Sequence, residues 1–356
     1  MYDDDRAFLF DLLSTPSPSG FEAAGQRVWA GYMRAYADTV ETDHYGNAWA
    51  VLGSMASPRL MLEAHADEIG FMINHVSDEG FLYVVRIGGS DGAIARGRRV
   101  QVLGNKGPVA GVIGNTAIHI RDRKDEKVAE IHELFIDIGA ANQDEVAARG
   151  LRVGHPVVFA ESVEEVMPGR LTGRALDNRM GGYIIAQVMA RLTRAEQPLQ
   201  AQVVAVNAVQ EEIGGHGAQM VTYRLQPTVA VVLDVAHATD SPGISKEKHG
   251  KVKLGGGPTV THGTANHPLV VERLMAVAEA QDIPLQHTSS SRYTGTDTDQ
   301  VFRSRSGVPS ALVSLPMRYM HSTIETVALD DVEACIRLLT AFAQSLTPDD
   351  AFRADL

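Results

Sequence analysis

The chain has 356 residues, 44% of them hydrophobic and 21% charged, which describes a folded protein long enough for two domains. Its 44 acidic residues outnumber 32 basic ones and leave a formal charge of -12, which repels phosphate backbones and anionic lipid; neither nucleic acid nor a membrane is expected as a partner. The opening MYDDDRAFLF is acidic where a secretory signal needs positive charge, no apolar run approaches membrane-spanning length, and a single cysteine, Cys335, excludes an intrachain disulfide framework, so a cytoplasmic protein is expected.

Helical periodicity fills Asp4 to Ser14 and Phe21 to Ala37, with SPSGFE (Ser17 to Glu22) supplying a turn and helix start between them. Short strands follow near Asn47 to Leu52 and Arg59 to Ala64. From Ile69 to about Val166 the runs FMINHV, FLYVVRI, RRVQVLG, AGVIG, ELFIDIG and HPVVFA are separated by glycine-containing turns, with one helix near Gln143 to Ala148. That pattern predicts a small β-rich domain or barrel. After Leu171 strand and helix alternate: helices at Asn178 to Arg194, His267 to Gln281 and Leu329 to Leu346, and strands before Glu211, at Thr228 to Asp234 and at Pro309 to Leu315. Alternation of this kind argues for an α/β sheet covered by helices. The early elements match the late ones, so the expected architecture is one α/β domain, 1–68 and 167–356, interrupted by a β-rich insertion, 69–166.

The segment VVAVNAVQEEIGGHGA (Val203 to Ala218) ends a buried-looking strand on two adjacent carboxylates, Glu211 and Glu212. Two carboxylates in one pocket repel unless a cation sits between them. Further polar residues end other strands or flank a helix: His65 and Asp67 after RLMLEA, Asp177 in RALDNR, Asp234 at the end of VAVVLD, and His321 after SALVSLPMRYM. Ligands of open α/β sheets bind outside the carboxyl ends of the strands, where most of these residues fall. Imidazole nitrogen with carboxylate oxygen suits zinc, cobalt or manganese. Two ions use the candidates better than one, since a single tetrahedral ion would leave ligands idle, whereas one bridging carboxylate lets five side chains hold a pair. One of the adjacent glutamates can then be a ligand while its neighbour stays free as a base. LGGGP at Leu254 to Pro258 and GTDTD at Gly295 to Asp299 read as turns or pocket walls, and HELFI at His132 lacks the second histidine of a zincin.

In order along the chain, AHADEIGF, RALDNRMGG, VQEEIGGHGA, LDVAHATD and MRYMHS resemble the M42 family of metallo-aminopeptidases, and the likeness covers nearly the whole sequence. The resemblance implies a dizinc exopeptidase-like α/β sandwich domain with a small barrel or PDZ-like insertion that serves dimerisation and assembly. It implies two divalent metal ions per subunit, zinc or cobalt, with Asp177 bridging, His65 and Asp234 on one ion, and Glu212 and His321 on the other. Glu211 becomes the general base and Asp67 the carboxylate that orients His65. Peptides are the implied substrates, cut at the amino-terminal bond, and dimers gathered into a dodecamer are the implied assembly. His216 and the stretch SSSRYTGTDTDQ depart from the family pattern and bear on substrate preference. Two rival readings are a glycosidase using Glu211 and Glu212, which leaves both histidines idle, and a non-catalytic, metal-stabilised assembly subunit.

Overall fold

The computed structural model describes residues 3–54, 58–120 and 127–353. Helices α1 (Asp3–Ser14) and α2 (Ala23–Met33) precede strands β1 (Thr39–Thr42), β2 (Ala48–Leu52) and β3 (Arg59–His65). The chain then forms β4 (Gly70–Val76), β5 (Leu82–Ile87), a short helix α3 (Gly92–Ala95), β6 (Arg99–Gly104), β7 (Gly107–Ile113), β8 (Phe135–Asp137), α4 (Gln143–Ala148) and β9 (Pro156–Phe159). Strands β10 (Glu164–Met167) and β11 (Arg170–Gly173) lead into α5 (Leu176–Arg194), β12 (Gln202–Ala208), α6 (His216–Leu225), β13 (Val229–His237) and α7 (Lys246–His249). The remainder comprises β14 (Thr259–His262), α8 (Pro268–Ala280), β15 (Gln286–Ser289), α9 (Thr298–Val301), β16 (Ser310–Met317), β17 (Glu325–Ala328) and α10 (Leu329–Ser345).

Eight strands form one mixed sheet in the order β1-β2-β12-β3-β13-β16-β14-β15, and its centre, β12, β3, β13 and β16, is parallel. Burial on both faces explains the near-continuous apolar runs of these strands. Along β12, Val203 and Ala205 enter the core shared with α1, α2, α5, α8 and α10, whereas Val204 and Val206 enter the opposite core beneath α6 and α9. Each valine so buried contributes roughly 1.5 kcal/mol or more. Helix α5 is buried along almost its whole length. Its Gly181 is what lets it approach: a Cβ there would stand 2.9 Å from Cβ of Ala64 on β3, and nearer still to Oδ1 of Asn178. This intimacy outweighs the roughly 1 kcal/mol by which glycine weakens a helix interior.

Between β3 and the return to the sheet, β4-β5-β8-β7-β6-β9 close into a barrel around Phe71, Ile73, Leu82, Val84, Val100, Val102, Ile136 and Val157. The fold is therefore a covered α/β sheet with a β-barrel insertion, as the alternation and the short strand runs led one to expect. Strand β10 pairs with β11, which pairs with β17, in a separate three-stranded sheet. The glycines of LGGGP lie near the amino end of α10, where Asp331 accepts hydrogen bonds from the backbone N of Gly255 and of Gly257, each at 2.7 Å. No helix among the described residues is long and apolar enough to cross a membrane.

Candidate metal centre

Because β3, β12, β13 and β16 run parallel, their carboxyl ends share one edge of the sheet. His65 is the last residue of β3, Glu211 and Glu212 lie in the turn after β12, Asp234 lies near the end of β13, and His321 lies in the loop after β16. Asp177 reaches the same place from the first turn of α5, where its backbone departs from helical angles. Its side chain caps no helix; it faces the two histidines. These six side chains line a cavity of about 1190 Å³. Asp67 lies behind them, fully buried.

Nε2 of His65 is 3.1 Å from Oδ1 of Asp177, 3.8 Å from Oδ1 of Asp234 and 3.9 Å from Oε2 of Glu211. Nε2 of His321 is 3.4 Å from the other oxygen of Asp177, Oδ2, and 3.3 Å from Oε2 of Glu212. Among the described residues three groups present ligand atoms within 4.8 Å of one another: His65 with Asp177 and Asp234; Asp177 with Glu212 and His321; and His65 with Glu211 and Glu212. The first two share Asp177.

Four carboxylates thus converge on two imidazoles. Burial above all pushes Glu211 upward in pKa, and Asp234, Asp297 and Glu212 act in the same direction against the opposing pull of His65. Burial likewise raises Glu212 and Asp234. Hydrogen bonding to Asp177 and Glu212 holds the His321 imidazole at about 11, and Asp177, despite its burial, is drawn well below the usual carboxylate range by His321 and His65. Such an anionic surplus in a buried pocket is what divalent cations relieve. The donor set of imidazole nitrogen and carboxylate oxygen fits zinc or cobalt.

Behind the site, buried carboxylates fix its backbone. Asp67 accepts from the backbone N of Glu211 at 2.9 Å, from that of Glu212 at 3.1 Å and from the hydroxyl of Ser19 at 2.6 Å, while Nδ1 of His65 is 3.4 Å from its Oδ1. Nδ1 of His65 lies nearer the backbone oxygen of Asp67, at 3.2 Å, so the hydrogen bonds of the Asp67 side chain go to the glutamate turn and Ser19. Glu68 bonds the guanidinium groups of both Arg174 and Arg179 and accepts from the backbone N of Ser17 at 2.8 Å, tying the loop after β3 to the start of α5. Glu325 accepts from the backbone of Asp177 and of His321. The barrel also reaches the site, since a Cβ on Gly89, in the loop after β5, would stand 2.4 Å from Nδ1 of His321. Sequence reasoning missed Glu68, Glu325 and Gly89. Of the glycine-rich motifs, Gly295, Thr296 and Asp299 line the cavity.

A family model described as M42 glutamyl aminopeptidase matches residues 46–338. The chain is 32% identical over 351 residues to the lysyl aminopeptidase of Pyrococcus furiosus, covering 97% of this chain and 99% of that protein. Its fold superposes with a TM-score of 0.92 on a TET aminopeptidase from a marine-sediment archaeon of the Thaumarchaeota, at 32% identity and 97% coverage of both chains. It also matches the TET1 peptidase of Pyrococcus horikoshii, with a TM-score of 0.84, 30% identity and coverage of 96% of this chain and 100% of that one.

Proposed function

This chain belongs to the M42 glutamyl aminopeptidase family, and from that premise we propose that it is a metal-dependent aminopeptidase with a dinuclear centre and Glu211 as its general base. The observation that carries the reading is Asp177, whose two oxygens face two different imidazoles at 3.1 and 3.4 Å. His65 and Asp234 would join Asp177 on one ion, and Glu212 and His321 would join it on the other; zinc and cobalt both suit these donors. When bound, the ions supply Lewis-acid polarisation of the scissile carbonyl and acidify water at the site.

The protein's own part is orientation and proton transfer. Asp67 holds the Glu211 backbone, leaving the Glu211 carboxylate at the cavity wall to accept the proton of the attacking water and to return it to the leaving amine nitrogen. Positive charge at Asp177 would bring the raised pKa of Glu211 back toward the range of a base at neutral pH. Ser314 and Thr261 are among the residues that line the cavity with Asp234. Substrates are peptides with a free amino terminus.

Self-assembly is the second part of the reading. The Pyrococcus horikoshii TET1 peptidase is described as assembling into a tetrahedron or a large octahedral shell. In this chain the insertion exposes Val85, Val112, Ile118, Ile120 and Val128, apolar surface that a neighbouring subunit would cover. We place dimer contacts and a dodecamer there.

The test is hydrolysis of a panel of aminoacyl-anilides together with metal counted per chain. Chelation should abolish activity and zinc or cobalt restore it. Glu211→Gln should keep both ions while turnover falls by about 10² to 10⁴, and Glu212→Gln should lose one ion, with activity partly recovered in excess metal. Full activity in metal-free protein overturns the reading. Metal loss in Glu211→Gln with retention in Glu212→Gln reverses the two roles.

A further inference from the structure

We propose that Glu325 is a positioning residue of the metal centre, holding the backbone of Asp177 and His321 at the separation that the ion between them requires. The inference rests on the dinuclear reading above. Glu325 opens β17 and is 2% exposed. Its Oε2 accepts from the backbone N of Asp177 at 3.2 Å, and its Oε1 accepts from the backbone N of His321 at 3.0 Å. One carboxylate therefore ties the first turn of α5 to the loop after β16, beside the contact that the Asp177 and His321 side chains make themselves.

Three features make this more than an ordinary turn contact. Burying a carboxylate away from water is costly unless it is paired or well hydrogen-bonded, and Glu325 forms no ion pair among the described residues; one neutral acceptor would satisfy a single amide at far smaller cost. The two amides fall on different oxygens of Glu325, and a carboxylate is the side chain that offers two acceptor oxygens and no donor. His321 sits at φ 60°, a left-handed backbone that an L-residue other than glycine, asparagine or aspartate enters at a cost of about 1 kcal/mol or more and keeps only where its surroundings hold it. The bond from its own amide to Glu325 is such a hold. Across the site Asp67 does the same for the adjacent glutamates, so two buried carboxylates, each bonded to two loop amides, stand behind Asp177, Glu212 and His321. Glu325 is not itself among the residues whose ligand atoms cluster within 4.8 Å.

A third connection runs toward the insertion. Glu325 is the register partner of Gly173 on β11, and β11 pairs in turn with β10, the first strand after the barrel. The clamp is thus seated on the three-stranded sheet through which the chain returns from the barrel, and it carries that position to the ligands of one ion.

The experiment uses the whole protein with Glu325→Gln, which keeps size and one acceptor but turns an N–H toward the second backbone amide, and Glu325→Asp, which keeps the charge on a shorter arm. Stripped proteins are titrated with Co²⁺ by calorimetry, and the visible absorption of the loaded forms is recorded beside thermal midpoints of the metal-free forms. Glu325→Gln should bind one Co²⁺ as the native chain does and the other about 10- to 100-fold more weakly, with an altered cobalt spectrum. Glu325→Asp should recover part of that affinity, and kcat should fall with KM little changed at saturating metal. Native affinity for both ions and a native spectrum in Glu325→Gln overturn the proposal, as does a lowered metal-free midpoint with metal binding untouched. A native chain that takes up no metal overturns the dinuclear reading and this one with it; a native chain that binds two ions, matched by Glu325→Gln, overturns this one alone.

Discussion

The barrel and the carboxyl edge of the sheet treat buried charge in opposite ways. The barrel closes around aliphatic and aromatic side chains, and its interior needs nothing beyond burial to be stable. The sheet edge, a few residues away in the chain, buries His65, Asp67, Glu68, Asp177, Asp234 and Glu325, each at most 5% exposed. Uncompensated, each would cost several kcal/mol. They persist because every one is bound to another or to a backbone amide, and because the surplus of negative charge suits cations. A core of the first kind reports how the chain folds. A core of the second kind reports what it does.

The change that separates the two regions most sharply is Asp177→Asn. Its side chain keeps its shape but loses its charge and one of its two acceptors, so of the two proposed ions one would lose its ligand oxygen and the other would keep only a neutral one. Activity is expected to fall beyond the range of about 10² to 10⁴ that loss of a single acid-base group produces, and metal per chain should drop below that of His65→Ala or His321→Ala. The comparison breaks if Asp177→Asn retains two ions per chain by elemental analysis.

How far each region was legible follows from the same contrast. Barrel strands announce themselves locally, through apolar runs between glycines, and α4 lies where the expected helix does, at Gln143–Ala148. The first long helix pattern overran: Phe21 to Ala37 reads as helix, but α2 ends at Met33 and the next residues turn. The edge strand β15 and its neighbour β14, QHTS and TVTH, are four residues long, too short for an alternation to stand out. At the site, side chains that face the cavity stand at strand ends and could be picked out there. Glu68 and Glu325 could not, since Glu68 meets Arg174 and Arg179 more than a hundred positions away, and Glu325 binds the amide of Asp177, 148 positions distant. Only the folded chain brings such partners together.

Glu68 offers the next largest effect. Burial would raise its pKa, but Arg174 and Arg179 outweigh burial and hold it below its ordinary value. A carboxylate whose pKa is lower folded than unfolded adds stability that is present above the unfolded pKa, near 4.5, and is lost as pH falls through the folded value. Glu68→Gln leaves two buried guanidinium groups unpaired and should cost about 3 to 5 kcal/mol at neutral pH. The gap between native and variant chains should narrow below pH 4.5, as the native carboxylate takes up its proton. Denaturant unfolding at several pH values checks both statements. A gap independent of pH would mean that the triad contributes through packing, and the edge would then resemble the barrel after all.

The smallest effect tests a place where the two regions touch. Gly88 and Gly89 follow β5 and lie against Glu212 and His321: a Cβ on Gly88 would approach Cβ of Glu212 to 3.2 Å, and one on Gly89 would approach Nδ1 of His321 to 2.4 Å. Contacts under 3.0 Å force something to move. In Gly89→Ala the added methyl meets an imidazole whose other nitrogen faces Asp177 and Glu212, so the ring must tilt away from them. The barrel itself should be untouched, with its unfolding within about 0.5 kcal/mol of native, as for changes outside a packed core. Affinity for the ion proposed at Glu212 and His321 should fall by about 10-fold, the lower end of what misorienting a ligand costs, while the ion proposed at His65 and Asp234 stays. Calorimetric titration of the metal-free variant distinguishes the two sites. Equal weakening at both would show that the barrel acts on the centre as a whole, and no weakening would show that it stands beside the site without shaping it.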